Sequence, residues 1–256
     1  MAKQQLTWLS DAEWARIEPL LPRGRKGAHR VDDRRVISGI VHMLKIGARW
    51  RDCPPEYGPY TTIYNRFHRW SGQGVWCAVF EALTGHSGVW GSVAIDSTSI
   101  KVHRSAAGAK GGPFEQAIGT SRGGRTSKLH GLTDTAGRPR VLMLSPGNLS
   151  DMTIAPALIE AANGRFTRLI ADKGYDSNAI RAAIQAQGAE VVIPPNRSRK
   201  LLIPYDHEAY RTRNLVERLW CRLKDWRRIA TRYDKLARNY LSGVFLVAAL
   251  TFWCAN

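Results

Sequence analysis

The apolar pattern of this chain changes period near residue 90, and that change limits the folds open to it. Val93–His103, Lys128–Thr133 and Arg140–Leu144 read as three strands in succession, with Gly137-Arg138-Pro139 as the turn between the last two. Helical spacing then appears at 151–163, a strand at Arg168–Ala171, a helix at 176–187 and a strand at Glu190–Ile193. Helices at 207–229 and 236–253 close the series, the last expected to pack on the sheet or on a partner subunit. Turn-linked strands followed by alternating units predict an α/β domain, a mixed sheet flanked by helices.

Residues 1–86 have another texture: short helices rich in Trp and Arg. Ser10-Asp11-Ala12-Glu13 has the form of a capping box, starting a helix that Pro22 stops. A basic, glycine-bearing linker spans 23–30. The next helix runs from about Asp32 to Ile46, with Val36, Ile40, Val41 and Leu44 at helical spacing and Gly47 at its end. After the turn-rich Cys53–Pro59 stretch, Thr61–Trp70 reads as a helix carrying Arg66, His68 and Arg69. Helix, turn and basic helix form a small all-α, helix-turn-helix-like domain compatible with reading DNA. The expected division is therefore 1–86 for DNA binding and 87–256 for chemistry.

Charge narrows the partner. The formal charge is +17, while 44% hydrophobic content and nine Trp exclude a disordered basic tail. Such an excess calls for a polyanion, either nucleic acid or an anionic membrane. The longest apolar run, Leu241–Trp253, is interrupted by Ser242 and Gly243 and is too short for a bilayer. The N-terminus shows no apolar signal core, so a membrane role is not expected. Cys53, Cys77, Cys221 and Cys254 lie far apart, without metal-knuckle spacing, and fit reduced thiols in the cytoplasm.

Acids are scarce, which makes their positions informative. Asp96 lies inside Val-Ala-Ile-Asp-Ser-Thr-Ser-Ile, and Asp172 ends Arg-Leu-Ile-Ala-Asp. A carboxylate in an apolar strand is costly unless paired, hydrogen-bonded or holding a cation, although a turn cap would serve for Asp172 alone. At about 100° per residue, Tyr210, Arg213, Cys221, Lys224 and Arg228 fall within roughly 40° of Glu217 on one helix face. Leu215, Leu219 and Trp226 fall opposite. A solvated charged stripe would look similar, but residues 197–238 hold 13 basic residues against five acidic ones. Three carboxylates from two strands and a helix suit hard divalent cations at a two-metal phosphoryl-transfer site.

These residues resemble the DDE triad of the RNase H-like transposases. Tyr210, Arg213, Glu217 and Lys224 match the Tyr-x2-Arg-x3-Glu-x6-Lys signature of bacterial insertion-sequence transposases. Ile-Asp-Ser-Thr, His103-Arg104, Ser127–Gly131 and Ala-Asp-Lys-Gly-Tyr-Asp look like the insertion-sequence-five branch, as does the stretch from Leu-Ser-Asp-Ala-Glu-Trp to Trp-Arg-Asp-Cys-Pro-Pro. The resemblance implies a transposase that cuts DNA at terminal inverted repeats and joins the 3′-hydroxyls to target DNA. It implies that Asp96, Asp172 and Glu217 hold two Mg²⁺ ions, which Mn²⁺ can replace, and that Tyr210, Arg213 and Lys224 contact phosphates. It also implies a homodimer on DNA, in a bacterial, nucleoid-associated setting. Glu217 follows Asp172 by only 45 residues, leaving no room for the large β insertion domain of some relatives.

Residues 101–140 carry eight basic side chains and two acidic ones, and Arg104, Arg122, Arg125 and Lys128 are expected along DNA together with Arg66, Arg69 and Arg228. His103 and His130 read as hydrogen-bonded residues beside strands. Most of the tryptophans read as core, with Trp50 and Trp70 the candidates for base stacking. Two other readings stay open: a DNA-binding regulator or inactive remnant that occupies the repeats without cutting, and a structure-specific nuclease on the same fold.

Overall fold

The structure, a computed structural model, describes residues 5–23, 32–85 and 88–254. Residues 24–30 of the expected linker, residue 31 and the expected boundary at 86–87 lie outside the described residues. The first helices are α1 (Asp11–Ile17), α2 (Asp33–Ile46), α3 (Tyr60–Gly72) and α4 (Val75–Thr84). Then come β1 (Ser92–Val102), a four-residue α5 (Gly112–Glu115), β2 (Gly119–Ser121), β3 (Gly124–Thr133) and β4 (Pro139–Pro146). They are followed by α6 (Asp151–Ala162), β5 (Arg168–Ile170), α7 (Asn178–Ala186) and β6 (Glu190–Val192). The chain ends with α8 (His207–Tyr210), α9 (Asn214–Lys224), α10 (Arg227–Ala230), the two-residue β7 (Thr231–Arg232) and α11 (Ala237–Ala248), which continues into a π-helical turn, Ala249–Cys254.

The described residues divide into two compact units that do not follow the 1–86 and 87–256 division. One unit takes 1–84 together with 103–107 and 223–256, and the other takes 85–102 and 108–222. In the first, Ser10 and Glu13 form the capping box of α1 reciprocally, and Asp32 caps α2 before Gly47 ends it in the left-handed region. The 47–59 connector contains two 3-10 turns, longer than the three- or four-residue turn of a helix-turn-helix. The C-terminal helix α11 belongs to this unit and packs on α2, α3 and α4. It is buried along nearly its whole length, so it needs apolar neighbours on every side. Phe80 meets Phe245 at 5.3 Å, and a Cβ on Gly243 would come within 3.1 Å of Leu44.

The second unit is built on the sheet. β1 pairs antiparallel with β3, β3 with β2 and β4, while β5 runs parallel to β1 and β6 parallel to β5. β3 lies between β1 and β4 in the antiparallel part, and β1 joins that part to parallel β5 and β6, giving an RNase H-like mixed sheet. Val93, Ile95 and Leu132 enter a core with Leu158, Ile159, Ile180 and Ile184 from α6 and α7. Side chains alternate along a strand, so Ala94 and Asp96 face the other way.

Two sequence expectations change here. β2 and the start of β3 form a hairpin in the basic 101–140 stretch, where the sequence marks a strand only from Lys128. The helix expected over 207–229 is broken: Arg211–Arg213 is a 3-10 turn, and Trp226 is extended at φ −88°, ψ 109° before α10.

Candidate active site

The register of two strands brings the aspartates together. Ala94 pairs with Ile170 between parallel β1 and β5, and Asp96 and Asp172 each stand two residues further on. Asp172 caps the 3-10 turn Lys173–Tyr175, its Oδ1 accepting from the Gly174 amide at 2.7 Å. The turn-cap reading of Asp172 is therefore borne out. Asp96 is half-buried, and burial raises its carboxyl above the usual range, as does the nearby charge of Asp172. The Ser97 amide, the Trp220 indole and the Arg213 charge act in the opposite sense.

Arg213 and Tyr210 belong to the same cluster. Burial raises the Tyr210 phenol, with the Arg213 charge opposing and the Asp172 charge adding to the rise. Tyr205 lies edge-on to Tyr210, with ring centroids 5.6 Å apart. Tyr175 sits on the inner side, its phenol pushed far up by burial and then by the charges of Asp151, Asp96 and Asp172. Glu217, near the start of α9, is the exception. Its carboxylate accepts from Arg213 Nη2 at 2.5 Å and remains about half exposed. Among the described residues, no group of three or more His, Cys, Asp or Glu side chains stands close enough to hold a metal ion. The donors still suit one. Asp96 and Asp172 offer hard carboxylate oxygens, Asp96 from a half-buried position, and a half-exposed i,i+4 ion pair such as Arg213–Glu217 is worth only about 0.3–0.5 kcal/mol.

Sequence reasoning did not single out Trp220. Its indole Nε1 donates to Asp96 Oδ2 at 3.2 Å while the ring is buried. Gly131 is the strand partner of Asp96, and a Cβ there would sit 2.7 Å from Trp220 Cη2, so the ring occupies the space left by the missing side chain. The available signal was the i,i+3 spacing from Glu217.

The expected DNA contacts separate into two groups. Arg69, Arg104, Arg122 and Arg125 are exposed. Arg66 is buried, ion-paired with Asp33 and stacked over Trp70 at 4.8 Å. Arg228 is buried as well, donating to Ala48 O at 2.9 Å and to Asp234 at 3.1 Å, with its guanidinium over Trp50. Because the chain is extended at Trp226, Arg228 does not continue the Glu217 face. Lys128 donates to Leu149 O and Asp151 Oδ1 at 2.8 and 3.0 Å. These three cations are engaged within the fold, and so is the tryptophan pair expected to stack on bases. Trp70 is buried, and Trp50 is packed between Phe67, Tyr64 and Arg228. His130 is fully buried, its Nε2 2.7 Å from Ser145 Oγ, and burial lowers its pKa to about 4, with Asp151 opposing and Lys128 adding. His103 is exposed and bonded to Ser105. No helix among the described residues is long and apolar enough to cross a membrane.

Comparison with known proteins fits this geometry. Residues 92–252 match the family model described as "Transposase DDE domain", and residues 9–80 match "Putative transposase of IS4/5 family". A Brucella ovis protein named "Putative transposase for insertion sequence element IS6501" is 32% identical over 128 residues, 49% of this chain and 96% of that one. A transposase of the same description for element IS402 of Burkholderia cepacia is 30% identical over 147 residues, 54% of this chain and 66% of that one. In fold, the chain is similar to the piggyBac transposase in its synaptic complex with hairpin DNA, with TM-score 0.51 and 10% identity over 94% of this chain and 70% of that one.

Proposed function

The chain belongs to the DDE transposases of bacterial insertion sequences, metal-dependent enzymes of DNA cleavage and transfer, and from that premise we propose how its residues divide the work. The protein binds the terminal inverted repeats of its element, cuts there and joins the freed 3′-hydroxyls to target DNA. The observation that carries this reading is the placement of Asp96 beside Asp172, with Arg213 and Tyr210 at the same carboxylates.

Asp96, Asp172 and Glu217 are the residues that hold two Mg²⁺ ions, with Mn²⁺ able to substitute. Divalent cations there supply an activated nucleophile and neutralise charge on the leaving oxygen. To hold them Glu217 would have to leave Arg213, an exchange that breaks only a half-exposed ion pair. Arg213, Tyr210 and Lys224 hold the scissile phosphate, and Arg213 released from Glu217 is free to make bidentate contact with it. Exposed Arg104, Arg122 and Arg125 track the DNA backbone, while Arg69 on α3 serves the end-reading helices of residues 1–86. A homodimer holds the two ends, in the cytoplasm at the nucleoid.

Strand joining tests this. Repeat ends cut beforehand to expose the 3′-hydroxyl, incubated with plasmid and Mg²⁺, yield joined products with the wild-type protein and none with Asp172→Asn. Cutting of many DNA structures with no joining would replace the proposal with the nuclease reading.

A further inference from the structure

We propose that Trp220 is a positioning residue that fixes the Asp96 carboxylate and keys the Glu217 helix to it. The inference rests on the metal-dependent reading above. Three observations meet at this side chain: the 3.2 Å indole hydrogen bond to Asp96 Oδ2, the burial of the ring, and the seat left by Gly131 directly across the strand pair from Asp96.

The chemistry of the donor matters. An indole N–H donates one hydrogen bond, accepts none and carries no charge. It occupies Oδ2 and sets the plane of the carboxylate while leaving the full negative charge and the other oxygen for a cation. A lysine or arginine in that place would neutralise Asp96 and compete with the cation. Trp220 also follows Glu217 by three positions on α9, so the two side chains leave neighbouring points of the helix surface. Once the ring is seated on Gly131, the helix that carries Glu217 is tied to the strand that carries Asp96.

The test compares full-length variants for Mn²⁺ binding, read by electron paramagnetic resonance of free Mn²⁺ in the presence of repeat DNA. Trp220→Phe keeps a large ring and removes the donor. It is expected to weaken Mn²⁺ binding about tenfold, the low end of what loss of an outer-shell partner costs, with thermal unfolding and gel-shift affinity in EDTA close to wild type. Gly131→Ala supplies an independent disturbance, since its methyl group displaces the ring, and a similar loss is expected. Wild-type Mn²⁺ affinity in Trp220→Phe overturns the proposal. If Asp96→Asn binds Mn²⁺ as tightly as wild type, the metal reading itself fails and the positioning role falls with it.

Discussion

Asp96 and Asp172 lie side by side because β1 and β5 run parallel and in register, each aspartate two residues past the Ala94–Ile170 pair. Neither carboxylate depends on a flexible loop for its place: one is inside a strand that pairs through Lys101, and the other caps the turn that follows β5. Ligands in open sheets of this kind gather outside the carboxyl ends of parallel strands. On the proposed metal reading, the two aspartates would be preorganised for a cation, whereas Glu217, on a helix surface and paired to Arg213, would have to be recruited.

The exposed and engaged cations separate in a binding experiment. Replacing Arg122 and Arg125 by alanine is expected to weaken DNA binding for all sequences and to lower the slope of log affinity against log salt by about 2. Lys128→Ala leaves that slope at the wild-type value, because its ammonium is bonded to Leu149 and Asp151. Gel shifts at several salt concentrations read both.

Arg66→Ala is expected to act on stability. The guanidinium is buried against Asp33 and Trp70, and removing it deletes a buried ion pair and its stacking on the indole, a loss of about 3 kcal/mol. Urea unfolding measures it. Unchanged stability with weakened DNA binding would return Arg66 to the DNA face.

Most of the strand order was legible, and the reasons for the failures are physical. Apolar runs marked β1, β3, β4, β5 and β6, but β2 is Gly-Thr-Ser and has no apolar residue to announce it. Arg66, Arg228 and Lys128 looked like surface cations because a linear sequence does not display a partner 33, 6 or 23 residues away. The helical wheel through Glu217 holds only within α9, from Asn214 to Lys224: a 3-10 turn precedes it, and at Trp226 the backbone leaves the helix. Trp220 falls between the charged and apolar faces on that wheel. Its place beside Asp96 depends on Gly131, which is remote in sequence.

Acid should weaken the fold through His130. Its folded pKa of about 4 lies below the ordinary 6.5, so between these values the unfolded chain binds the proton more readily. Stability is complete above pH 6.5 and is lost as pH falls towards 4, by about 3 kcal/mol from this residue. Urea midpoints across that range should fall less steeply in His130→Gln. Equal slopes would mean that His130 is protonated inside the fold.

The most direct test of the account is cleavage of labelled DNA carrying the element's terminal repeats, with Mg²⁺ or with EDTA, by wild type and Glu217→Gln, with gel-shift binding in parallel. The account predicts cuts at the repeat ends in Mg²⁺ and none in EDTA. It also predicts at least about a hundredfold loss of cutting in Glu217→Gln, with binding retained. Wild-type cutting by Glu217→Gln, or tight binding by the wild-type protein with no cuts in any divalent metal, would contradict it.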